Sequence, residues 1–292
     1  MQEPRAVQTT EPAAGVLYLV GTPIGNLADL SPRARQVLAG VQRIACEDTR
    51  RSGLLLHSLG IKNRLVSFHA HNQTSRIPEL LAALEAGEAL AVISDAGLPG
   101  ISDPGEALVA EARQQGRTVI CIPGPSAVTT ALVSSGLPCG RFCFEGFLPA
   151  KANQRRQRLA QLASDERTLV LFEAPHRLVE LLEDLLAVMG DRPLRVAREL
   201  TKKHEQQVGP TVRAALSHFQ TTPPLGECTL VLGGAPPEAP QPFDPKALRQ
   251  ALDGLVAGGM SNREAAKTLA ERSGHSKREL YALLHSPGPD AP

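Results

Sequence analysis

The residues with the strongest chemical claim lie between Ser94 and Gly105, where the chain reads SDAGLPGISDPG. Two Asp, three Gly and two Pro within twelve residues exclude an ordinary flexible connection, because Gly and Pro at that density set unusual backbone angles. This stretch is predicted to be a shaped binding loop. A second loop, PGPSA from Pro123 to Ala127, gives a rigid entry to a helical pattern. Its Ser126 stands either to cap that helix or to contact a ligand.

Acid–base chemistry has two candidate centres. Glu47, Asp48 and Arg50 form a compact set in CEDTR, and Glu199, Lys202, Lys203 and Glu205 form another in RELTKKHE. In each, a carboxylate can take a proton while a cation fixes a phosphate or a sugar. The plainer reading of Asp48 with Arg50 is a helix cap closed by an ion pair. His69 and His71 in SFHAHN offer imidazoles as alternative bases and stand as second choices. The best local basic run is KANQRRQR, with Lys151, Arg155, Arg156 and Arg158. Supplemented by Arg177 and the Lys277-Arg278 pair, it suits RNA phosphates, although a solvated helix face has the same composition.

These residues need elements to position them. From Val16 to about Gly124, the runs VLYLVG, RIACED, RLVSFH, ALAVISD and TVICIPG alternate with helical patterns, which predicts an α/β fold with a largely parallel sheet. Ser31 and Pro32 mark a helix start, and PELLAALEAG and EALVAEARQQG each end at a Gly suited to follow a helix. RFCFEGFL, TLVLFEA, LRVAREL, EQQVG and ECTLVLGG repeat the alternation, with a mixed sheet expected. The expected organisation is a disordered tail over 1–15, α/β domains over 16–125 and 126–234, a proline-rich linker over 235–243, and helices over 244–286. SNREAAKTLA followed by SGHSKRELYALL is similar to a helix-turn-helix, and equally to any capped helical hairpin. Every Gly- or Pro-dense loop follows a predicted strand, so the loops border one cleft at the strands' carboxyl ends.

Several function classes drop out. GTPIGN after the first strand lacks GxGxxG spacing, Pro23 has no N–H for a pyrophosphate, and no GxxxxGK[ST] occurs. The formal net charge of +1 requires that any nucleic acid be held by a local patch, and the absence of Trp with only two Tyr argues against base stacking as the main contact. Five cysteines without a CxxC pair fit reduced thiols in a cytosol. The polar first residues do not form a secretory signal, and no apolar run suggests a membrane span, so a cytoplasmic protein is expected.

The ordered set GTPIGNLADLSPRA, CEDTR, SDAGLPGISDPG, PGPSA, FEAPHR, RELTKKHE and GECTLVL resembles the tetrapyrrole-methylase superfamily, and within it the branch that 2'-O-methylates a cytidine of 16S ribosomal RNA. The resemblance covers roughly Val16 to Gly234. It implies a class III methyltransferase-like fold of two α/β domains with an interdomain cleft, plus a small C-terminal helical domain. It also implies S-adenosyl-L-methionine in the cleft, a homodimer, and the small ribosomal subunit as partner. Its cofactor contacts map onto Pro23, Ala96, Gly97, Leu98, Ile101, Ser126, Ala127 and Phe172, with Ser94 and Asp95 nearby. Porphyrin-modifying members have loops resembling GxGPGD and GGDP where this chain has GTPIGN and DAGLP, which weakens a tetrapyrrole substrate and leaves the cofactor reading intact. Methyl transfer to a ribose oxygen needs positioning and a general base but no metal. Glu47, Asp48, Arg50, Glu199 and Lys202, at strand ends of the two domains, are the candidates expected to face the methyl across the cleft. A tetrapyrrole or protein methylase, and a nonenzymatic nucleic-acid-binding regulator using the tail, are the alternatives.

Overall fold

The computed structural model describes residues 11–236 and 244–285. The chain divides into two compact units that part between Ala235 and Pro236. In the first, β1 (Val16–Val20), β2 (Arg43–Cys46), β3 (Leu65–Ser67), β4 (Leu90–Ile93) and β5 (Thr118–Ile122) form a sheet of order β3-β2-β4-β1-β5. Every neighbouring pair in it is parallel. The crossovers are α1 (Pro32–Gly40), α2 (Thr49–Ser58), α3 (Gln73–Glu85) and α4 (Glu106–Gln114).

Alternation along β1 shows how this sheet is covered. Val16, Tyr18 and Val20 share a core with Val37 and Leu38 of α1 and Leu56 of α2. Leu17 shares another with Ile77 and Leu84 of α3 and Leu108 of α4. A parallel sheet buried on both faces explains the nearly continuous apolar runs. The chain leaves β1 for one face and the adjacent β4 for the other, and that divergence opens a crevice at their carboxyl ends.

Local signals place the helices. Ser31 Oγ accepts the Ala34 N–H at 3.0 Å, and α3 and α4 stop just before Gly87 and Gly116, whose φ values are 89° and 70°. Helix α3 begins earlier than its apolar pattern suggests, at Gln73, and carries Pro78 inside it. The expected tail over 1–15 is corrected in its last residues: the Ala13 N–H donates to Tyr18 Oη at 2.9 Å and the Gly15 N–H to the Gly87 carbonyl at 3.2 Å. The first ten residues of that tail, and residues 237–243 of the linker, lie outside the described residues.

The second sheet contains β6 (Phe142–Phe147), β7 (Thr168–Glu173), β8 (Leu194–Arg198), β9 (Gln206–Val208) and β10 (Cys228–Leu232), in the order β6-β7-β10-β8-β9. It is mixed, since β6 and β7 are parallel and the other pairs antiparallel. Leu230 and Leu232 pack with Leu159 of α6 (Ala152–Leu162), Leu181 and Leu185 of α7 (Leu178–Met189) and Phe219 of α8 (Val212–Thr221). On the opposite face Val170, Ala197 and Val231 meet Val128, Ala131 and Leu132 of α5 (Ala127–Ser134), together with Ile24 and Leu200. Ile24 belongs to the loop after β1, so this apolar cluster is the seam between the two sheets.

The second unit is α9 (Pro245–Ala257), α10 (Asn262–Ser273) and α11 (Lys277–His285) around Leu248, Leu252, Ala265, Ala266 and Leu280. Ser261 and Glu264 form a reciprocal capping box, and Gly274 at φ 71° ends α10. The chain turns in three residues between α10 and α11. Among the described residues no helix is long and apolar enough to cross a membrane.

Helix α6 also holds a buried charge. Arg155 is only 2% exposed, and its guanidinium meets Asp184 at 2.7 Å, a carboxylate shared with Arg156 at 2.9 Å. Removing the carboxylate strands a cation in a core, which typically costs about 3–5 kcal/mol. Asp184→Ala is therefore expected to lower stability by about that amount in urea unfolding. A loss below about 1 kcal/mol would mean that Arg155 reaches water in the variant.

Candidate active site

The site begins with a backbone pair. Beyond β1 and β4, Thr22 and Gly97 exchange both main-chain hydrogen bonds, at 2.9 and 3.2 Å. Thr22 Oγ1 donates to the Ser94 carbonyl at 3.2 Å, and Ser94 Oγ donates to the Gly97 carbonyl at 3.2 Å. Gly97 accommodates this turn with φ 88°. The loop after β5 closes against the same point, since a Cβ on Gly21 would stand 2.7 Å from Gly124 Cα. The first glycine of GTPIGN thus serves a contact between two backbones, not a phosphate.

These joined loops form one wall of a cavity of about 430 Å³. Asp95, Ala96, Gly97, Leu98 and Ile101 line it from the loop after β4, Ser126 and Ala127 from the start of α5, and Phe172 from β7. Ser126 occupies the cap position of α5 but makes no capping hydrogen bond, so its hydroxyl is left to the cavity. Two expected contacts lie outside the lining. Ser94 is buried with its hydroxyl holding the Gly97 carbonyl, and neither it nor Pro23 is among the lining residues, a position taken by Ile24.

The second sheet supplies what the sequence did not single out. Glu173, Cys228 and Thr229 line the cavity from the ends of β7 and β10, with Leu200 and Glu227 beside them. The Glu173 side chain is fully buried: Oε1 accepts the Ala174 N–H at 2.9 Å, and Oε2 has Arg177 at 3.2 Å but no hydrogen bond among the described residues. Burial pushes the Glu173 carboxyl up, against the Ala174 amide and the Arg177 charge. Burial likewise pushes the Cys228 thiol up to about 11, so it stands as a neutral group at physiological pH. FEAPHR marked the loop, but nothing local distinguishes the interior strand residues.

The acid–base candidates separate into two groups. Glu47 lines the cavity. Asp48 instead caps α2, accepting the Arg50 N–H at 2.8 Å and pairing with its guanidinium at 3.0 Å, and these bonds hold its carboxyl at about 2. Arg50 extends into solvent, 89% exposed. Glu199 pairs with Lys202 at 2.9 Å, and Lys202 with Glu227 at 3.0 Å, so the lysine holds the Glu199 carboxyl below its usual range. Asp48, Arg50, Glu199 and Lys202, expected opposite the reacting group, are held in local ion pairs and are not among the residues lining the cavity. His69 and His71 contact each other with ring centroids 6.0 Å apart, outside the cavity lining.

A second cavity of about 420 Å³ adjoins the first and is lined by Ala70 and Gln73, the segment from Ser102 to Ala107, Ala110 and Glu47. Asp103, which belongs to both linings, has its carboxyl pushed up to about 6 by burial, with Glu47 and Asp95 adding to the effect and Ser94 opposing it.

The expected RNA patch is largely paired within its own domain. Arg155 is in the core, Arg156 shares Asp184, Arg158 pairs with Glu145 at 2.7 Å, and Arg177 pairs with Glu173 and donates to the Leu148 carbonyl at 2.9 Å. The run was basic because its own domain supplies the carboxylates. Lys151, at the cap of α6, remains exposed, as do Lys277 and Arg278 on α11.

Comparison with known proteins fits this geometry. A family model described as Tetrapyrrole (Corrin/Porphyrin) Methylases matches residues 16–216. A Synechocystis protein named Ribosomal RNA small subunit methyltransferase I is 49% identical over 92% of this chain and 97% of its own length. A Thermotoga maritima protein of the same name is 48% identical over 99% of its length but 75% of this chain, which leaves a quarter of this chain without a counterpart in it. A Thermus thermophilus uroporphyrin-III-C-methyltransferase structure superposes with a TM-score of 0.54 at 23% identity, covering 74% of this chain and 94% of that one, and so shares the fold.

The contact between Gly21 and Gly124 gives a direct check. Gly21→Ala forces the two backbones apart and is expected to cost about 1–3 kcal/mol in denaturant unfolding. Gly140→Ala, at a position with open space around it, is expected to be nearly neutral. Equal effects would remove the backbone contact from the account.

Proposed function

This chain belongs to the tetrapyrrole (corrin/porphyrin) methylase family, and we propose that it transfers a methyl group from S-adenosyl-L-methionine to the 2'-hydroxyl of a cytidine in the decoding region of 16S ribosomal RNA. The observation that carries this reading is the near full-length identity to relatives named as small-subunit ribosomal RNA methyltransferases. The cavity after β1 and β4 suits the donor. Its volume and apolar wall fit a nucleoside-sized ligand, and the Ser126 hydroxyl, which makes no capping hydrogen bond, offers a polar contact. Ser126 would hold a polar group of the donor, with Ile24, Leu98 and Phe172 packing its apolar parts. When bound, S-adenosylmethionine supplies a methyl activated by a sulfonium charge. The chain's own part is to fix that ligand against the Thr22–Gly97 pair and to keep water from it.

The substrate side rests on a different part of the chain. Lys277, Arg278, Tyr281 and His285 are exposed on α11, and the Tyr281 and His285 rings lie 4.7 Å apart. That face suits an RNA backbone better than the paired arginines of α6 do. The Thermotoga relative manages with a chain shorter by about the size of this unit, which supports an accessory role in substrate selection. The exposed Phe142 and Phe147 on the edge strand β6 support a homodimer. A ribosomal substrate and the free cysteines support a cytoplasmic location.

Calorimetry with S-adenosylmethionine and transfer of labelled methyl to small ribosomal subunits test the reading, with a corrin as the competing acceptor. Binding, label in one 2'-O-methylated cytidine and none in the corrin is the expected result. Ending the chain at Pro236 is expected to leave donor affinity within about twofold while weakening association with subunits. Loss of donor binding on that truncation, with the fold intact, would contradict the division of roles.

A further inference from the structure

The loop after β4 encloses more than the donor cavity. Gly100 and Gly105 have φ values of 85° and 149°, and a Cβ on Gly105 would lie 3.3 Å from the Gly100 nitrogen, so the loop is pinched into a neck there. Between them Ser102 takes a left-handed φ of 63°. The turn so formed sets Ser102 and Asp103 between the two cavities. Glu47, Ser102 and Asp103 are the residues common to both linings.

We propose that the second cavity seats the acceptor nucleoside and that Asp103, in the wall between the cavities, takes the proton from its ribose hydroxyl. This rests on the methyl-transfer reading above. An attacking oxygen has to come within about 3–3.5 Å of the carbon it attacks, so the acceptor must occupy space that opens onto the donor. The charges of the second cavity select what enters. Glu47, Asp103 and Glu106 line it, no Lys or Arg does, and an anionic phosphate is therefore kept outside. A neutral nucleoside suits it, since carboxylates accept hydrogen bonds from sugar hydroxyls and from the exocyclic amine of cytosine.

Asp103 also differs from the other carboxylates in what surrounds it. Glu47 faces it from the loop after β2 and Asp95 from the loop after β4, and Glu106 follows on α4. Arg51 of α2 is held by Asp95 at 3.1 Å. Burial and the Glu47 and Asp95 charges raise the Asp103 carboxyl to about 6, so it is ionised at neutral pH yet far more basic than an exposed aspartate. In the transfer, the hydroxyl O–H bond breaks and its proton passes to the Asp103 carboxylate. The oxygen's electron pair forms the bond to the methyl carbon, and the pair of the broken carbon–sulfur bond stays on the donor's sulfur. The protonated Asp103 then returns its proton to water.

Full-length protein and small subunits provide the test. Single-turnover methylation by the parent is expected to rise with pH through about 6 and level off. Asp103→Asn should lose about 10²–10⁴-fold in rate and lose that rise, with donor affinity by calorimetry unchanged within about twofold. A second readout needs no activity. The folded protein binds this proton more tightly than the unfolded chain, so Asp103 lowers stability as pH rises from about 4 to about 6. Asp103→Asn should then melt above the parent at pH 7.5 and lose that advantage near pH 4. Ala107→Trp, which fills the second cavity alone, should weaken subunit binding at least tenfold and spare the donor. Parental rate and pH profile in Asp103→Asn, or activity lost in Glu47→Gln and kept in Asp103→Asn, overturns the assignment. Parental subunit binding in Ala107→Trp overturns the acceptor seat. A parent that neither binds S-adenosylmethionine nor methylates subunits overturns the methyl-transfer reading itself.

Discussion

Two hydrogen bonds between Thr22 and Gly97 join the loops that follow β1 and β4, and the site is organised around that junction. Each is worth only about 0.5–1.5 kcal/mol net. Their importance is geometric, because they turn two surface loops into a short antiparallel pair anchored on neighbouring strands of a buried sheet. The Gly21–Gly124 contact adds the loop after β5, and Ile24, just beyond, enters the apolar seam with Val231 and Leu200. The cavity and the seam therefore share their supports. A change that parts the loops disturbs the packing between the sheets as well as the ligand site.

The carboxylates around this junction have different fates set by their neighbours. Asp48 and Glu199 lie beside cations that lower their proton affinity, and those pairs serve helix and loop geometry. Asp103 and Glu173 are pushed the other way, chiefly by burial. Groups of the second kind are uncommon unless something compensates for withholding them from water. Asp103 stands in the wall between the two cavities, whereas the Glu173 carboxylate is buried at the end of β7 beside Arg177.

Much of the scaffold was legible in the sequence because its signals are local. The five apolar runs from VLYLVG to TVICIPG became parallel strands, Ser31 capped α1, and Gly87 and Gly116 followed their helices. SDAGLPGISDPG could be recognised as a built loop from composition alone, and its residues from Asp95 to Leu98 line the cavity. What stayed hidden depends on partners distant along the chain. Arg155 reads as a solvated arginine until Asp184, 29 positions away, closes on it in the core. Cys228 and Thr229 look like ordinary strand residues, and only the order β7-β10-β8 brings their end of β10 to the site. Asp103 was visible as part of a turn, but its burial and its position between two cavities are properties of the assembled loops.

Hydrogen exchange at the Thr22 and Gly97 amides, followed without ligand and again with S-adenosylmethionine, tests most directly whether the site is preformed by this junction. Protection comparable with that of β1 and β4 in the free protein, increasing further with the donor bound, is the predicted result. Exchange in the free protein as fast as that of an exposed loop would show that the ligand, and not the backbone pair, organises the site.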